Sequence, residues 1–425
     1  MIRAFQWDIA RQVERLDWLH AQLPRYADWG YQELYLHLED AVEYPSFPSI
    51  ARKDAYRYRD LLKLVKAAEN VGIKTVPIVN LLGHTQYLIK TPELRELNEL
   101  RSESGSPLDS GQICPVHPRT LDVARMLLAD VGPFCTAGKV HVGLDESFQL
   151  GKHPLSRDEV GRIGLAGHFA HYVNRLHALT RAAGLEMGMW ADMLYFLPDA
   201  VPLLPRGITA YEWYYHAFRR HPRVELFNFA EADLSTPLLR HGLKYYGCPM
   251  NGAFRFEPMP HFGDRLGNIL AWWKHNQRIG ADGLLVSSWE PFRLATELTT
   301  VIDAAAAGLW LQPEVDDPQE MLVRGFERVF GKATARQAAK LAFACDRFPF
   351  SGYPRWEINS RWDTVSGREA LLPYRSEVRH FGRLARAAKA AKVPAPLRAS
   401  IAFRGYLAVR DVAVRELSRN PKPKS

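Results

Sequence analysis

Cysteine is scarce in this chain. The four residues, Cys114, Cys135, Cys248 and Cys345, lie far apart and form no CxxC pair. That argues against a disulfide framework and a thiolate zinc site, and suits buried thiols in a reducing compartment. No run of about 18 apolar residues is present, which excludes a membrane-spanning helix. The opening Met1-Ile2-Arg3-Ala4-Phe5-Gln6-Trp7-Asp8 lacks the apolar stretch of a signal peptide. A cytoplasmic protein with no membrane partner is therefore expected. The histidines at 117, 216 and 221 have no HExxH or comparable metal-ligand spacing, so neither a metal nor any other cofactor is expected. Charge of one sign is also in short supply: 55 basic against 47 acidic residues leave +8. Arg383, Arg386, Lys389 and Lys392 near the end have the spacing of a solvated helical face rather than a nucleic-acid stripe.

What is present is apolar and aromatic. Hydrophobic residues make up 47% of the 425, enough for a large core, and aromatics 11%. Carbohydrate sites use aromatic faces to stack apolar sugar surfaces. The first three quarters alternate short apolar runs with longer amphipathic stretches, the pattern of βα units. Strands are predicted over 2–7, 33–38, 74–81, 139–143, 186–190, 207–211, 243–247 and 283–288, with helices between them at 60–71, 120–131, 164–183 and 266–279. Glycines recur before strands at 30, 72, 184 and 242, where helix C-caps belong. Eight units within about 310 residues make a (β/α)8 TIM barrel. A doubly wound sheet would want a Gly-rich phosphate loop after the first strand, which is missing. Beyond Pro313 the alternation stops. Helices are predicted over 318–330, 333–345, 369–392 and 397–418, before a disordered tail at 420–425. The expected organisation is a catalytic barrel over 1–312 and a helical C-terminal region over 313–425.

Barrel enzymes carry their chemistry where strands end. The residues at those positions are Glu39 and Asp40, Asn80 and His84, Asp145 and Glu146, Trp190 and Asp192, Glu212 and Trp213, Tyr245 and Tyr246, and Trp289 and Glu290. Carboxylates and aromatics converge there, without phosphate-binding glycines. The sharpest segment is Val140-His141-Val142-Gly143-Leu144-Asp145-Glu146, which closes a strand on two adjacent carboxylates. Neighbouring side chains at a strand end point to opposite sides, so the two acids can take different roles.

That segment resembles the H-x-G-G-D-E motif of glycoside hydrolase family 20, the β-N-acetylhexosaminidases. Arg3 with Asp8-Ile9-Ala10-Arg11 resembles the family's opening R-G…L-D-x-A-R, and Gly83-His84-Thr85 its P-G-H-[ST]. Trp190, Trp213 and Trp289 fall where the family places its pocket tryptophans. Leu36-His37-Leu38-Glu39-Asp40 and Gly188-Met189-Trp190-Ala191-Asp192-Met193-Leu194 are closest to the hexosaminidase D branch. The resemblance implies an exo-acting, retaining β-N-acetylhexosaminidase that cleaves terminal β-linked GlcNAc or GalNAc from a small glycan. In this mechanism the substrate's own acetamido oxygen is the nucleophile. Glu146 would be the general acid, its pKa pushed apart from that of Asp145 by their proximity, and Asp145 would hold the acetamido N–H. Tyr246, or its neighbour Tyr245, would bond the acetamido oxygen. Arg3, Glu39, His84, Trp190, Asp192, Trp213, Trp289 and Glu290 would complete substrate binding. The resemblance also leaves a homodimer through the barrel face open.

Several alternatives stand beside these assignments. Arg3 suits the outer barrel face nearly as well, Asp192 equally suits a helix cap, and His84, apart from the resemblance, suits a satisfied core histidine. The family's Y-x-D becomes Tyr246-Gly247-Cys248 and its W-x-E becomes Trp289-Glu290, which leaves gluco against galacto preference open. Two rival functions remain: a two-carboxylate retaining glycosidase with Glu212 or Glu290 as nucleophile, and a sugar-binding barrel without catalysis.

Overall fold

The computed structural model describes residues 1–224, 230–252, 259–289, 296–348 and 371–419. The predicted tail, the start of the helix expected from 369, and Glu290 lie outside them. Two compact units form, one of Met1–Pro249 with Ala271–Ser287, the other of Met250–Leu270 with Ser288–Ser425. The expected division at 312 lies inside the second unit.

The first unit is a closed barrel of eight parallel strands in chain order: β1 (Ile2–Asp8), β2 (Glu33–His37), β3 (Lys74–Ile78), β4 (Lys139–His141), β5 (Glu186–Trp190), β6 (Thr209–Trp213), β7 (Lys244–Cys248) and β8 (Gly283–Val286). β8 returns to β1 with Gly283 beside Ile2. Each strand overlaps its predicted run. The sixth begins and ends two residues later than predicted, because Gly207 turns with φ 82° and Glu212 and Trp213 still pair with Gly247 and Cys248.

Helices of the barrel unit are α1 (Leu16–Asp28), α2 (Tyr58–Asn70), α3 (Gln86–Ile89), α4 (Thr120–Val131), α5 (Pro154–Ala182), α6 (Met193–Phe196) and α7 (Ser235–His241). α2 shows how such a helix is specified. Leu61, Leu64, Val65 and Ala68 recur at helical spacing and are buried, each large apolar side chain contributing roughly 1.5–3 kcal/mol by leaving water. α5 is longer than its predicted span. It starts at Pro154, where His153 accepts the Leu155 N–H, and breaks at Gly164 with φ 73° and ψ 168°.

The period of two decides which strand residues face the barrel axis. In β1 the ring of Phe5 stacks on Tyr26 of α1 at 4.0 Å, so odd positions face outward and Gln6 and Asp8 face in. At the end where strands begin, the interior is polar. Lys139 Nζ reaches Glu33 Oε1 at 2.7 Å and the Tyr246 hydroxyl at 3.2 Å, while Tyr35 and Tyr211 join hydroxyls at 2.6 Å. Above this layer His141 packs against Trp190 at 4.4 Å and Tyr211 at 4.7 Å. A buried ion pair of this kind holds only because its remaining polar atoms are also bonded.

The second unit is helical where described, as expected for the C-terminal region. Its longest members are α8 (Leu372–Ala390) and α9 (Ala395–Arg419), joined by the buried Arg404–Glu377 ion pair at 2.8 Å. Another helix, Pro318–Phe330, starts as its sequence suggests, with Pro318 in the first turn and the Asp317 carboxylate accepting the Glu320 N–H at 3.0 Å.

The tyrosine layer requires a glycine across from it. A Cβ at Gly283 would lie 2.1 Å from Cε1 of Tyr246. Gly283→Ala is expected to destabilise the protein by about 1–3 kcal/mol through overpacking, read as a lower midpoint in urea unfolding. An unchanged midpoint would show that the ring can move aside.

Candidate active site

The turn after β4 presents the two carboxylates, and its backbone is unusual. Gly143 has φ 72°, Leu144 φ 80° and Glu146 φ 48°. A Cβ on Gly143 would sit 2.3 Å from Asn80 Oδ1, so only glycine permits the approach of strand-end backbones. Glu39 (φ 38°) and His84 (φ 53°), in the loops after β2 and β3, share the left-handed conformation. Each such residue costs of order 1–3 kcal/mol, and such strain collects at functional sites. The family-like motif has glycine where this chain has Leu144. Its φ explains that glycine, and its complete burial offsets the strain by apolar contact.

His141 supports the turn from below. Its Nδ1 accepts the Gly143 N–H at 3.1 Å, and burial pushes its pKa down to about 3. It therefore stays neutral.

His84 Nε2 lies 3.3 Å from Asp145 Oδ2 and 3.2 Å from Glu146 Oε2. The Asp145 charge is the main cause that raises its pKa to about 11, against the opposing effect of burial. The imidazolium acts back on its partner. Burial alone would lift Asp145, but the charge and hydrogen bond of His84 hold its carboxyl below the usual range. Asp145 Oδ1 is buried and has no hydrogen-bond partner among the described residues.

Asp192, two residues past β5, closes the other side. Its Oδ2 accepts the Glu146 N–H at 2.9 Å. Burial first, and the Asp145 charge second, push its pKa up to about 8, with the Glu146 N–H and the Trp213 indole opposing. Trp190 is buried against His141, and Trp213 is half-buried, its ring stacked with that of Tyr215 at 5.2 Å.

A second charged group adjoins the first. His37 Nδ1 meets Asp8 Oδ1 at 2.9 Å, and His37 Nε2 meets Glu39 Oε1 at 3.2 Å. Asn80 donates to the same Glu39 oxygen at 3.2 Å, and Arg11 reaches Asp8 at 3.3 Å. Burial opposes a charged His37, yet Glu39 and Asp8 raise its pKa. Asp8 and His37 had no assigned site role in the sequence. They come together through the register of β1 and β2, where they pair directly at inward positions.

Six sequence assignments fall elsewhere or outside the described residues. Tyr246 faces inward, but its hydroxyl points to Glu33 and Lys139 at the strand-start end. Tyr245 faces outward, and its hydroxyl donates to Glu212 Oε2. Neither is available at the mouth. Arg3 stands at the start of β1 on the outward parity of Phe5, with Nε donating to Gln32 at 3.3 Å. Glu212, the rival nucleophile, is turned outward and accepts from both Tyr195 and Tyr245; burial raises its pKa to about 7. Trp289 is half-buried and belongs to the second unit, while Glu290 is outside the described residues. Among the described residues no group of three or more His, Cys, Asp or Glu is arranged to hold a metal ion.

The raised His84 pKa makes stability pH-dependent. Between the ordinary value of 6.5 and about 11 the folded chain keeps a proton that the unfolded chain releases. The His84 contribution is thus complete below pH 6.5 and is lost as pH rises through about 11. In His84→Gln the decline of unfolding free energy across that window should be shallower; identical slopes would mean that His84 is not charged in the folded state.

A family profile described as "Glycosyl hydrolase family 20, catalytic domain" matches residues 2–221, just over half of the chain. Human hexosaminidase D is 22% identical over 231 residues, covering 51% of this chain and 45% of that protein. The chain therefore spans less than half the length of this curated relative. Among solved structures, the chitobiase of Flavobacterium johnsoniae superposes with a TM-score of 0.61 at 15% identity, over 100% of this chain and 73% of the other. The exo-β-N-acetylglucosaminidase of Vibrio harveyi, solved with N-acetylglucosamine, gives 0.58 at 16%, over 79% and 58%. At such identities these structures speak for the fold, while the profile match carries the family: the chain belongs to glycosyl hydrolase family 20.

Proposed function

We propose that the protein is an exo-acting β-N-acetylhexosaminidase that hydrolyses terminal β-linked GlcNAc or GalNAc with retention, using the substrate's acetamido group as nucleophile. The observation that carries this reading is the His84 bridge. It holds Asp145 ionised beside Glu146 and leaves Asp145 Oδ1 unpartnered and buried.

The division of labour follows from that geometry. The Glu146 side chain is about one-third exposed and can reach a departing glycosidic oxygen, protonate it, and later take a proton from water. Asp145 is more enclosed and accepts the acetamido N–H. As the acetamido oxygen attacks the anomeric carbon, the leaving-group bond breaks and positive charge spreads over the new ring. A fixed negative carboxylate stabilises it with no reorganisation at that moment. Trp190 and Trp213 supply apolar surface that holds the acetamido group near attack geometry. The Asp8–His37–Glu39–Arg11 group adjoins through Asn80 and offers Glu39, 20% exposed, to sugar hydroxyls. The two-carboxylate rival loses Glu212 to its tyrosines.

Among the described residues no helix is long and apolar enough to cross a membrane. All four cysteines are free and buried, which supports cytoplasmic residence as part of the proposal.

Release of nitrophenol from the β-aryl glycosides of GlcNAc, GalNAc and glucose is the first test. Cleavage of either acetamido sugar with glucose inert is expected. Equal cleavage of the glucoside would remove the acetamido nucleophile from the reading, and silence on all three would leave a binding barrel.

Glu146→Ala separates acid catalysis from binding. For an unactivated alkyl aglycone, kcat/KM should fall by about 10²–10⁴, with a much smaller loss for a dinitrophenyl aglycone that departs without protonation. Equal losses on both would deny Glu146 the acid role.

A further inference from the structure

A secondary amide carries one donor and one acceptor, so a site that orients it presents an acceptor and a donor in return. Asp145 is the acceptor, ionised by His84. The donor is not a tyrosine of β7, since the hydroxyls of Tyr245 and Tyr246 are turned to Glu212 and Glu33. Besides Glu146, the carboxyl close enough to feel the Asp145 charge is Asp192. Its Oδ2 is occupied by the Glu146 N–H, while its Oδ1 is buried and makes no hydrogen bond among the described residues.

The groups that act on Asp192 are Asp145 and Glu146 from the turn after β4, the Glu146 N–H, and the Trp213 indole of β6. On its own short helix Tyr195 faces it too, with the hydroxyl donated to Glu212. No cation is among them. Two carboxyls in one water-poor site do not both ionise, and His84 stands with Asp145 rather than Asp192.

We propose that Asp192 keeps its proton in the resting protein and donates it from Oδ1 to the carbonyl oxygen of the substrate's 2-acetamido group, so that Asp145 and Asp192 together clamp the amide. No covalent bond changes at Asp192; a hydrogen bond forms when the sugar enters. The inference rests on the proposed substrate class.

The sign of the pH effect is fixed. As pH rises through about 8, Asp192 loses its donor and adds a second negative charge beside Asp145. Affinity for an acetamido sugar falls above that pH and is constant below it.

The test is calorimetric binding of N-acetylglucosamine to full-length Glu146→Gln, which removes the neighbouring carboxyl, at pH values on either side of 8. Affinity should fall by about tenfold per pH unit above the transition. In Glu146→Gln/Asp192→Asn, whose amide donates without titrating, binding should be weaker and independent of pH, and Asp192→Ala in the same background should bind more weakly still. Infrared difference spectra should show the C=O stretch of a protonated acid in the parent and lose it with Asp192→Asn. Binding with the same pH dependence in both proteins would overturn the proposal while leaving the substrate class intact. Absence of binding by either N-acetylglucosamine or N-acetylgalactosamine to the parent would overturn both.

Discussion

The contact of His84 with both Asp145 and Glu146 decides how Asp145 differs from its neighbour Asp192. One imidazolium cannot satisfy three carboxyls. It stands with the adjacent pair, lowers Asp145, and leaves Asp192 to the unfavourable sum of burial and a like charge. Moving the histidine would reassign which acid is ionised without changing a single carboxylate. The left-handed backbone at His84 is therefore part of the electrostatics, because it aims the ring.

The whole mouth has the same logic. Five carboxyls, from Asp8, Glu39, Asp145, Glu146 and Asp192, meet three basic groups, Arg11, His37 and His84. Acids outnumber bases, and the excess is concentrated beside Asp145. Under the proposed mechanism the sugar becomes cationic there, and the fixed Asp145 carboxylate stabilises that charge better than mobile water does. The polar layer at the opposite end of the barrel uses Lys139 and Glu33 in a matched pair, so its charges cancel.

Much of this was legible in the chain. Strand–helix alternation showed the barrel because period two and period 3.6 differ over even short windows. Asp145 and Glu146 were legible because an apolar strand runs directly into them, and His84 because it sits in a short motif. The tyrosines were not. Tyr245 and Tyr246 are adjacent on one strand, and choosing between inward and outward faces requires the register of the closed sheet. Even the inward one sits too near the strand start to reach the mouth, a distance along the axis that composition does not encode. Arg3 failed for the same reason, and Glu212 looked like a strand-end acid until the strand proved to extend past it. Asp8 and His37 are distant in sequence and meet only through pairing of β1 with β2.

Strain and position are linked. Four non-glycine residues with positive φ, Glu39, His84, Leu144 and Glu146, lie in consecutive loops after β2, β3 and β4. A relaxed turn would carry the chain away from the strand end with its side chains dispersed. The left-handed steps instead fold each loop back, bringing Glu39 within reach of His37 and Asn80, and Asp145 and Glu146 within reach of His84. The cost is met by what lies beneath: Leu144 fully buried, Gly143 bound to His141, and Asn80 closing on Gly143. A barrel whose core holds the strand ends rigidly can sustain several strained residues together, and that rigidity lets His84 choose between carboxyls that differ only in placement.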